Sequence, residues 1–384
     1  MVAALAQLGA PVAMLVGIRM AVERGRGRTA VPVRATVVGT SLGIGAVAAV
    51  LTVTGSIDHF FDRPALYGWN WDLQVGSAFS PDLEGAAHEL AGNPSVAEVA
   101  LAGQARVHAG SQLIDVLGIA EVRDSIEPTL VLGRVPSAPE EILLGTRTLR
   151  DLGVAVGDTV EVAFGPRSRE LLVVGTGVMS EFAGGARLGE GASMTFDGLQ
   201  DLVPDAVRSL VLVQAGPNVD LHVLADDLRA TYGGEGVYLP TKPSDLADLE
   251  RVGGLPFFVA GLIGLMALAV LTSTVISSVH RRQRDLAVLK VLGFVPSQVV
   301  RAVACQSTAL AVVAGVIGLP LGIALGRTGW EVFADRLGVP PGPVTPVVSA
   351  VVLALVLLVL ANLVAIVPGR HASRWRLAPA LRTE

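Results

Sequence analysis

Four long stretches without a charged residue constrain this 384-residue chain more than anything else in it. They are residues 35–57, 252–279, 302–326 and 337–369, with lengths of 23, 28, 25 and 33. A helix needs about 20 apolar residues to cross ~30 Å of hydrocarbon. All four stretches are long enough. The last opens with Pro340, Pro341, Pro343 and Pro346, so its spanning part is expected near 347–367. Four such runs, each bounded by charges or prolines, fit poorly with buried helices of a soluble core. The first is not a secretory signal, because 34 residues precede it and three spans follow. Charged residues make up only 16% of the chain, against roughly 25% in soluble proteins.

The net charge of -5 hides an asymmetry that orients the spans. Residues 58–251 carry 13 Lys and Arg against 29 Asp and Glu. Residues 1–34 carry 5 against 1, residues 280–301 carry 5 against 1, and residues 370–384 carry 4 against 1. Short loops rich in Lys and Arg stay in the cytoplasm. The expectation is a multi-pass protein of the plasma (inner) membrane with both termini cytoplasmic. Its fold class is a membrane α-helical bundle of four transmembrane helices, with a large α+β extracytoplasmic domain between helices 1 and 2. The expected order is a cytoplasmic or interfacial segment 1–34, span 35–57, outer domain 58–251 and span 252–279. A cytoplasmic loop 280–301, span 302–326, short outer loop 327–346, span 347–367 and cytoplasmic tail 368–384 complete it.

Several functions are excluded. Cys305 is the only cysteine, so no disulfide forms within the chain, and the outer domain must rest on its own core. His59, His88, His108, His222, His280 and His371 are scattered without metal-ligand spacing. Lys242 and Lys290 are the only lysines, and no G-x-x-x-x-G-K-[ST] phosphate loop occurs. Within residues 58–251 no G-x-S-x-G groups a nucleophile with a base. No catalytic, cofactor-binding or metal-binding residue is expected on this chain, and no nucleic-acid partner.

Within the outer domain, helices are expected at 83–90, 146–151 and 220–231. Strands are expected at 96–102, 104–108, 141–144, 193–196 and 210–214. Residues 159–164 and 170–174 flank Gly165 and Pro166 and read as a hairpin. Residues 240–251 are expected to lead helically into the second span. The aromatic group Tyr67, Trp69 and Trp71 reads as an interfacial belt, as a buried first strand or, in the sharpest reading, as a substrate contact. Residues 1–18 read as a weak fifth hydrophobic segment or, by preference, a helix lying along the membrane face. Their abrupt start suggests the back half of a longer protein. Gly39 and Gly43 form a G-x-x-x-G pair, and Gly318, Gly322 and Gly326 form a double one, which lets helices pack closely.

The loop 280–301 is the most informative stretch. Arg281, Arg282 and Arg284 follow the second span. Leu286, Leu289 and Leu292 form a helical apolar face beside Ala287 and Val288, and Gly293 is a natural stop. A short amphipathic helix braced between two spans would pass any push into both. Two readings stand: a membrane-surface helix whose arginines bind lipid phosphates, or a helix that docks in a protein groove.

Residues 282–293, RQRDLAVLKVLG, resemble the R-x-R-E-x-A-[VIL]-L-[KR]-x-[LI]-G signature of the FtsX-like (MacB-type) permeases of ABC transporters, with Asp285 where that family usually has Glu. Residues 141–145, EILLG, and 152–160, LGVAVGDTV, look like that family's periplasmic core. The tail from Pro368 to Arg382 is similar to its usual ending. The resemblance covers most of residues 29–384. It implies that the loop helix docks on a separate cytoplasmic ABC ATPase, which holds ATP and Mg. Arg281, Arg282, Arg284, Asp285, Val288, Leu289, Leu292 and Gly293 would form that contact. It also implies pairing with a second permease half or a second copy, and motion transmitted to an extracytoplasmic lipid, lipoprotein, peptide or drug. The alternative is a mechanical regulator of an extracytoplasmic cell-wall hydrolase.

Overall fold

The computed structural model describes residues 11–22, 33–179, 187–233, 236–241, 254–281, 287–288, 291 and 293–374. In chain order the elements are α1 (Val12–Val22), α2 (Val33–Phe61), β1 (Leu73–Gly76), α3 (Glu84–Ala91), β2 (Val96–Ala109), β3 (Gln112–Arg123), β4 (Thr129–Gly133) and β5 (Glu141–Gly145). Next come α4 (Thr146–Leu152), β6 (Thr159–Phe164), β7 (Arg167–Val178), β8 (Ala192–Thr195), α5 (Phe196–Leu202), β9 (Leu210–Ala215), α6 (Leu221–Tyr232) and β10 (Val237–Tyr238). The long helices α7 (Gly254–Arg281), α8 (Pro296–Leu337) and α9 (Val347–Arg374) close the sequence. The chain divides into two compact units. One is Met1–Ser56, Val252–Trp330 and Pro343–Glu384; the other is Ile57–Arg251 and Glu331–Gly342.

The first unit is helical. Among the described residues, α2, α7, α8 and α9 are long and apolar enough to cross a membrane. Val275, Val279, Val299, Val303 and Ala365 form one buried cluster, and Leu271, Leu310, Ala311 and Ala361 form another. Met20 and Ala21 of α1 are buried in these clusters, because Gly17 brings α1 against Ala302 and Cys305 of α8. Phe258, Leu262 and Leu265 of α7 and Val348, Leu355 and Val359 of α9 are exposed. Such a surface would aggregate in water and suits hydrocarbon.

Buried polar side chains tie these helices together. Thr36 and Thr274 share a hydroxyl hydrogen bond of 2.7 Å. Gln306 Nε2 donates to Ser278 Oγ at 2.7 Å, and Ser307 Oγ donates to the Ala361 carbonyl at 2.7 Å. Each such bond between membrane helices contributes about 0.6 kcal/mol on average.

The second unit is α+β. Strands β10, β1, β9 and β2 lie side by side in that order, all antiparallel to their neighbours. With α3 and α6 they make a split β-α-β arrangement. Leu73, Val75, Val99, Val211 and Val213 pack there against Leu90, Leu224 and Leu228. The α6 start is fixed by Asp220, whose carboxylate accepts from His222 N at 2.9 Å.

Between β2 and β9 the chain inserts a second sheet whose pairing closes on itself. It runs β2–β3–β8–β5–β7–β6 and returns to β2 through His108–Ala163 and Ala109–Val162. Closure removes most free edges. Its core holds Val107, Val116, Ile142, Leu144, Val162, Val173 and Met194, with Leu199 and Leu202 of α5. Among the described residues, strand β4 pairs only with β7.

Candidate functional site

Three sets of residues bear on function: the 280–301 loop, the small-residue contact between α2 and α8, and a clasp around the end of α8. Arg282, Arg284, Asp285, Leu289 and Leu292 lie outside the described residues. Arg281 ends α7 and is exposed. Ala287, Val288 and Val291 are helical; Ala287 is buried, whereas Val288 and Val291 are exposed. That alternation leaves an apolar face open. Gly293 has φ +100°, a conformation that L side chains rarely adopt, and the chain turns there before α8 begins.

Within the helical unit, Gly318, Gly322 and Gly326 of α8 meet Ser41, Gly45 and Ala49 of α2. A Cβ at Gly318 would lie 2.5 Å from the Ser41 carbonyl oxygen, and one at Gly326 would lie 2.7 Å from that of Ala49. Only hydrogen fits at these positions. The α2 partner stripe is Ser41, Gly45 and Ala49, spaced four apart, and the sequence reading did not single it out. Gly43 instead faces Ala267 of α7, and Gly39 makes only an ordinary contact with Val270.

The clasp lies wholly within the α+β unit, at the last turn of α8 and the loop after it. Arg147 on α4 sends Nη2 to the Arg336 carbonyl at 3.1 Å and Nε to the same oxygen at 3.3 Å. Arg150 Nη2 donates to the Asp335 carbonyl at 3.0 Å, and its guanidinium lies 3.7 Å from the Asp335 carboxylate. Thr146 Oγ1 donates to the Gly338 carbonyl. The final carbonyls of a helix lack partners and carry its negative dipole end. Two guanidinium groups are therefore placed where both hydrogen bonding and charge favour them. Gly338, at φ +78°, stops the helix by donating its N–H to the Ala334 carbonyl at 2.9 Å. Gly189 completes the seat: a Cβ there would lie 2.9 Å from Thr146 Oγ1 and 3.1 Å from the Leu337 carbonyl.

The local sequence explains why α4 can do this. Strand β5 is fully buried from Ile142 to Leu144 and delivers the chain at Gly145 directly into α4. The helix ends at Gly153, φ +68°. Gly157, φ +102°, then turns the chain into β6, with Asp158 Oδ2 accepting from Ala155 N at 2.8 Å. The L-G-x-x-x-G-D-x-V run is thus a helix stop followed by a turn. Nearby, Arg134 grips Glu141 with both guanidinium nitrogens, which holds that carboxyl down at about 2 from the usual 4.5.

Trp69 and Trp71 are buried with ring centroids 5.4 Å apart. They precede β1 rather than form it, and their burial fits packing, not a belt. No group of three or more metal-ligating side chains occurs among the described residues.

Comparison with known proteins places both units. The MacB-like periplasmic core domain family matches residues 35–231, and the FtsX-like permease C-terminal family matches residues 257–375. The crystal structure of the periplasmic region of MacB from Actinobacillus actinomycetemcomitans is similar at 14% identity and TM-score 0.33, covering 50% of this chain and 97% of that one. A domain of a putative permease protein from Porphyromonas gingivalis is similar at 13% identity and TM-score 0.29, covering 48% of this chain and 97% of that one. No curated protein sequence matches the chain. With the core-domain family spanning just over half of the sequence and the permease family following it in order, this chain belongs to the FtsX-like, MacB-type family of ABC transporter permeases.

Proposed function

We propose that this chain is the permease subunit of a MacB/FtsX-type ABC transporter, passing motion from a separate ATPase to an extracytoplasmic domain that exports or extracts a lipid, lipoprotein, peptide or drug. ATP and Mg belong to the partner; this chain performs no bond chemistry. It works paired with a second copy of itself or with a second permease half. The loop 280–301 and both termini face the cytoplasm, a reading supported by their excess of Lys and Arg.

The observation that carries the proposal is α8. It begins just after the Gly293 turn and runs as one helix of 42 residues with Pro320 inside it, a length of roughly 63 Å at 1.5 Å per residue. Its last turn is held by Thr146, Arg147 and Arg150. A helix is stiff along its axis, and close packing by Gly318, Gly322 and Gly326 couples it to α2. A push on the loop therefore has a continuous route to the clasp.

The test is co-purification. Detergent-extracted protein should bring down an ABC ATPase. Leu289→Asp puts a charge into the proposed apolar contact, at a cost on the order of 2–4 kcal/mol. The variant should still insert in the membrane but lose the ATPase. An undiminished complex would remove the proposed docking site.

A further inference from the structure

A groove of about 830 Å³ opens in the α+β unit. Its apolar lining includes Ile119, Ile126, Pro128, Leu130, Pro136 and Phe196. Ile126 and Phe196 are almost fully buried, so the floor is fixed. The rim carries Glu121, Glu127 and Asp197, all exposed. No ion pair joins any of the three to a cation among the described residues; Glu121 only accepts from Ser125 Oγ at 2.9 Å. Arg134 is the one cation on the groove wall among those residues, and Glu141 neutralises it. The groove is therefore apolar inside and negative at its mouth.

Two strands bordering it have open sides. Strand β3 pairs with β8 only from Val116 to Ile119, yet it continues to Arg123, still paired with β2 on its other side. Residues 120–123 have no strand partner on the β8 side among the described residues. The chain leaves β8 at Thr195 and turns into α5, with Thr195 capping it, and this departure opens the space. Among the described residues, strand β4 also pairs on one side only, through Thr129–Val178 to Gly133–Gly175. Free backbone donors and acceptors therefore flank an apolar trough with an acidic rim.

We propose that this groove binds an extended polypeptide segment of a partner protein that carries basic side chains, held by strand addition at the open edges and by Glu121, Glu127 and Asp197. Strand addition supplies affinity through main-chain hydrogen bonds, and the side-chain pockets supply selectivity. The ligand class follows from the charge: three unpaired carboxylates reward cations and penalise an acidic chain. The site acts without nucleotide and without the ATPase, so its failure is separate from failure of the transporter reading.

The experiment uses the full-length protein in detergent and fluorescence anisotropy. The probes are a short labelled peptide of alternating valine and lysine, the same peptide with glutamate for lysine, and a version N-methylated at alternate amides. The lysine peptide should bind, more weakly as salt rises. The triple change Glu121→Gln, Glu127→Gln and Asp197→Asn should weaken it by about tenfold, the combined effect of partly exposed ion pairs. The N-methylated peptide should bind poorly, because the strand edges lose their partners. Equal binding of the lysine and glutamate peptides would overturn the proposal. So would full binding by the N-methylated peptide, or an unchanged affinity in the triple variant.

Discussion

Arg147 holds the carbonyl oxygen of Arg336 with two guanidinium nitrogens, 189 positions away in the sequence. The pairing ties α4, a seven-residue helix between buried β5 and the Gly153 turn, to the end of α8, the longest helix among the described residues. It satisfies a carbonyl that the helix cannot satisfy itself. It also makes the loop after α8 a structural part of the α+β unit.

The clasp depends on backbone shape as well as charge. Gly338→Val would demand a left-handed conformation of a branched residue and drive its Cβ into Thr146 Oγ1. A loss of about 1–3 kcal/mol is expected. Thermal unfolding followed by tryptophan fluorescence should show the drop. Gly342→Ala, where nothing lies within 4 Å, should be close to neutral.

Close packing of α2 and α8 is sharply position-dependent. Gly322→Leu would force a side chain into the Gly45 carbonyl and Ala48. A cost of about 1–3 kcal/mol or more is expected from overpacking. Gly39→Ala meets only Val270 at an ordinary distance and should be tolerated. Comparing melting of the two variants in the same detergent checks the contrast.

The Arg134–Glu141 pair makes part of the α+β unit's stability acid-sensitive. Glu141 titrates near 2 when folded, against a usual 4.5, because Arg134 and Ser137 donate to its carboxylate. A carboxyl with a lowered folded-state pKa stabilises the fold above its unfolded value. That contribution is full above pH 4.5 and disappears as pH falls toward 2. Glu141→Gln should be less stable at neutral pH, and its stability should fall less steeply between those two values. A parallel pH profile for both proteins would show that the pair contributes nothing.

Much of this architecture was legible in the chain. The four long apolar helices were, because hydrocarbon demands long uncharged runs. The last was placed at 347–367, and α9 begins at Val347. The third span was read as 302–326, but α8 extends to Leu337. Arg327, Glu331, Asp335 and Arg336 ended the hydropathy signal without ending the helix. Strand β2 was read as two pieces divided at Gly103. It is one strand, and glycine is there because a Cβ would lie 2.6 Å from the Phe196 ring and from the Val207 carbonyl. Strand β3 was missed, although Gly110, φ +56°, marks the tight turn between β2 and β3. The clasp could not be read, since Thr146 and Gly338 are 192 positions apart and neither stands in a motif. The α2 stripe Ser41, Gly45 and Ala49 was masked by the more conspicuous Gly39 and Gly43. Most of the residues proposed to dock on an ATPase, Leu289 among them, lie outside the described residues, so that proposal rests on the family resemblance.

The central claim is that motion generated by the ATPase reaches the outer domain through α8 and its clasp. The direct measurement places an environment-sensitive fluorophore at Ser137→Cys, in a Cys305→Ser background, on the permease–ATPase complex. Adding ATP should change the signal in the otherwise unmodified complex. With Arg147→Ala and Arg150→Ala together, ATP hydrolysis should continue while the change at position 137 is largely lost. A full fluorescence response in the double variant would contradict the account, because force would then be reaching the outer domain by another route.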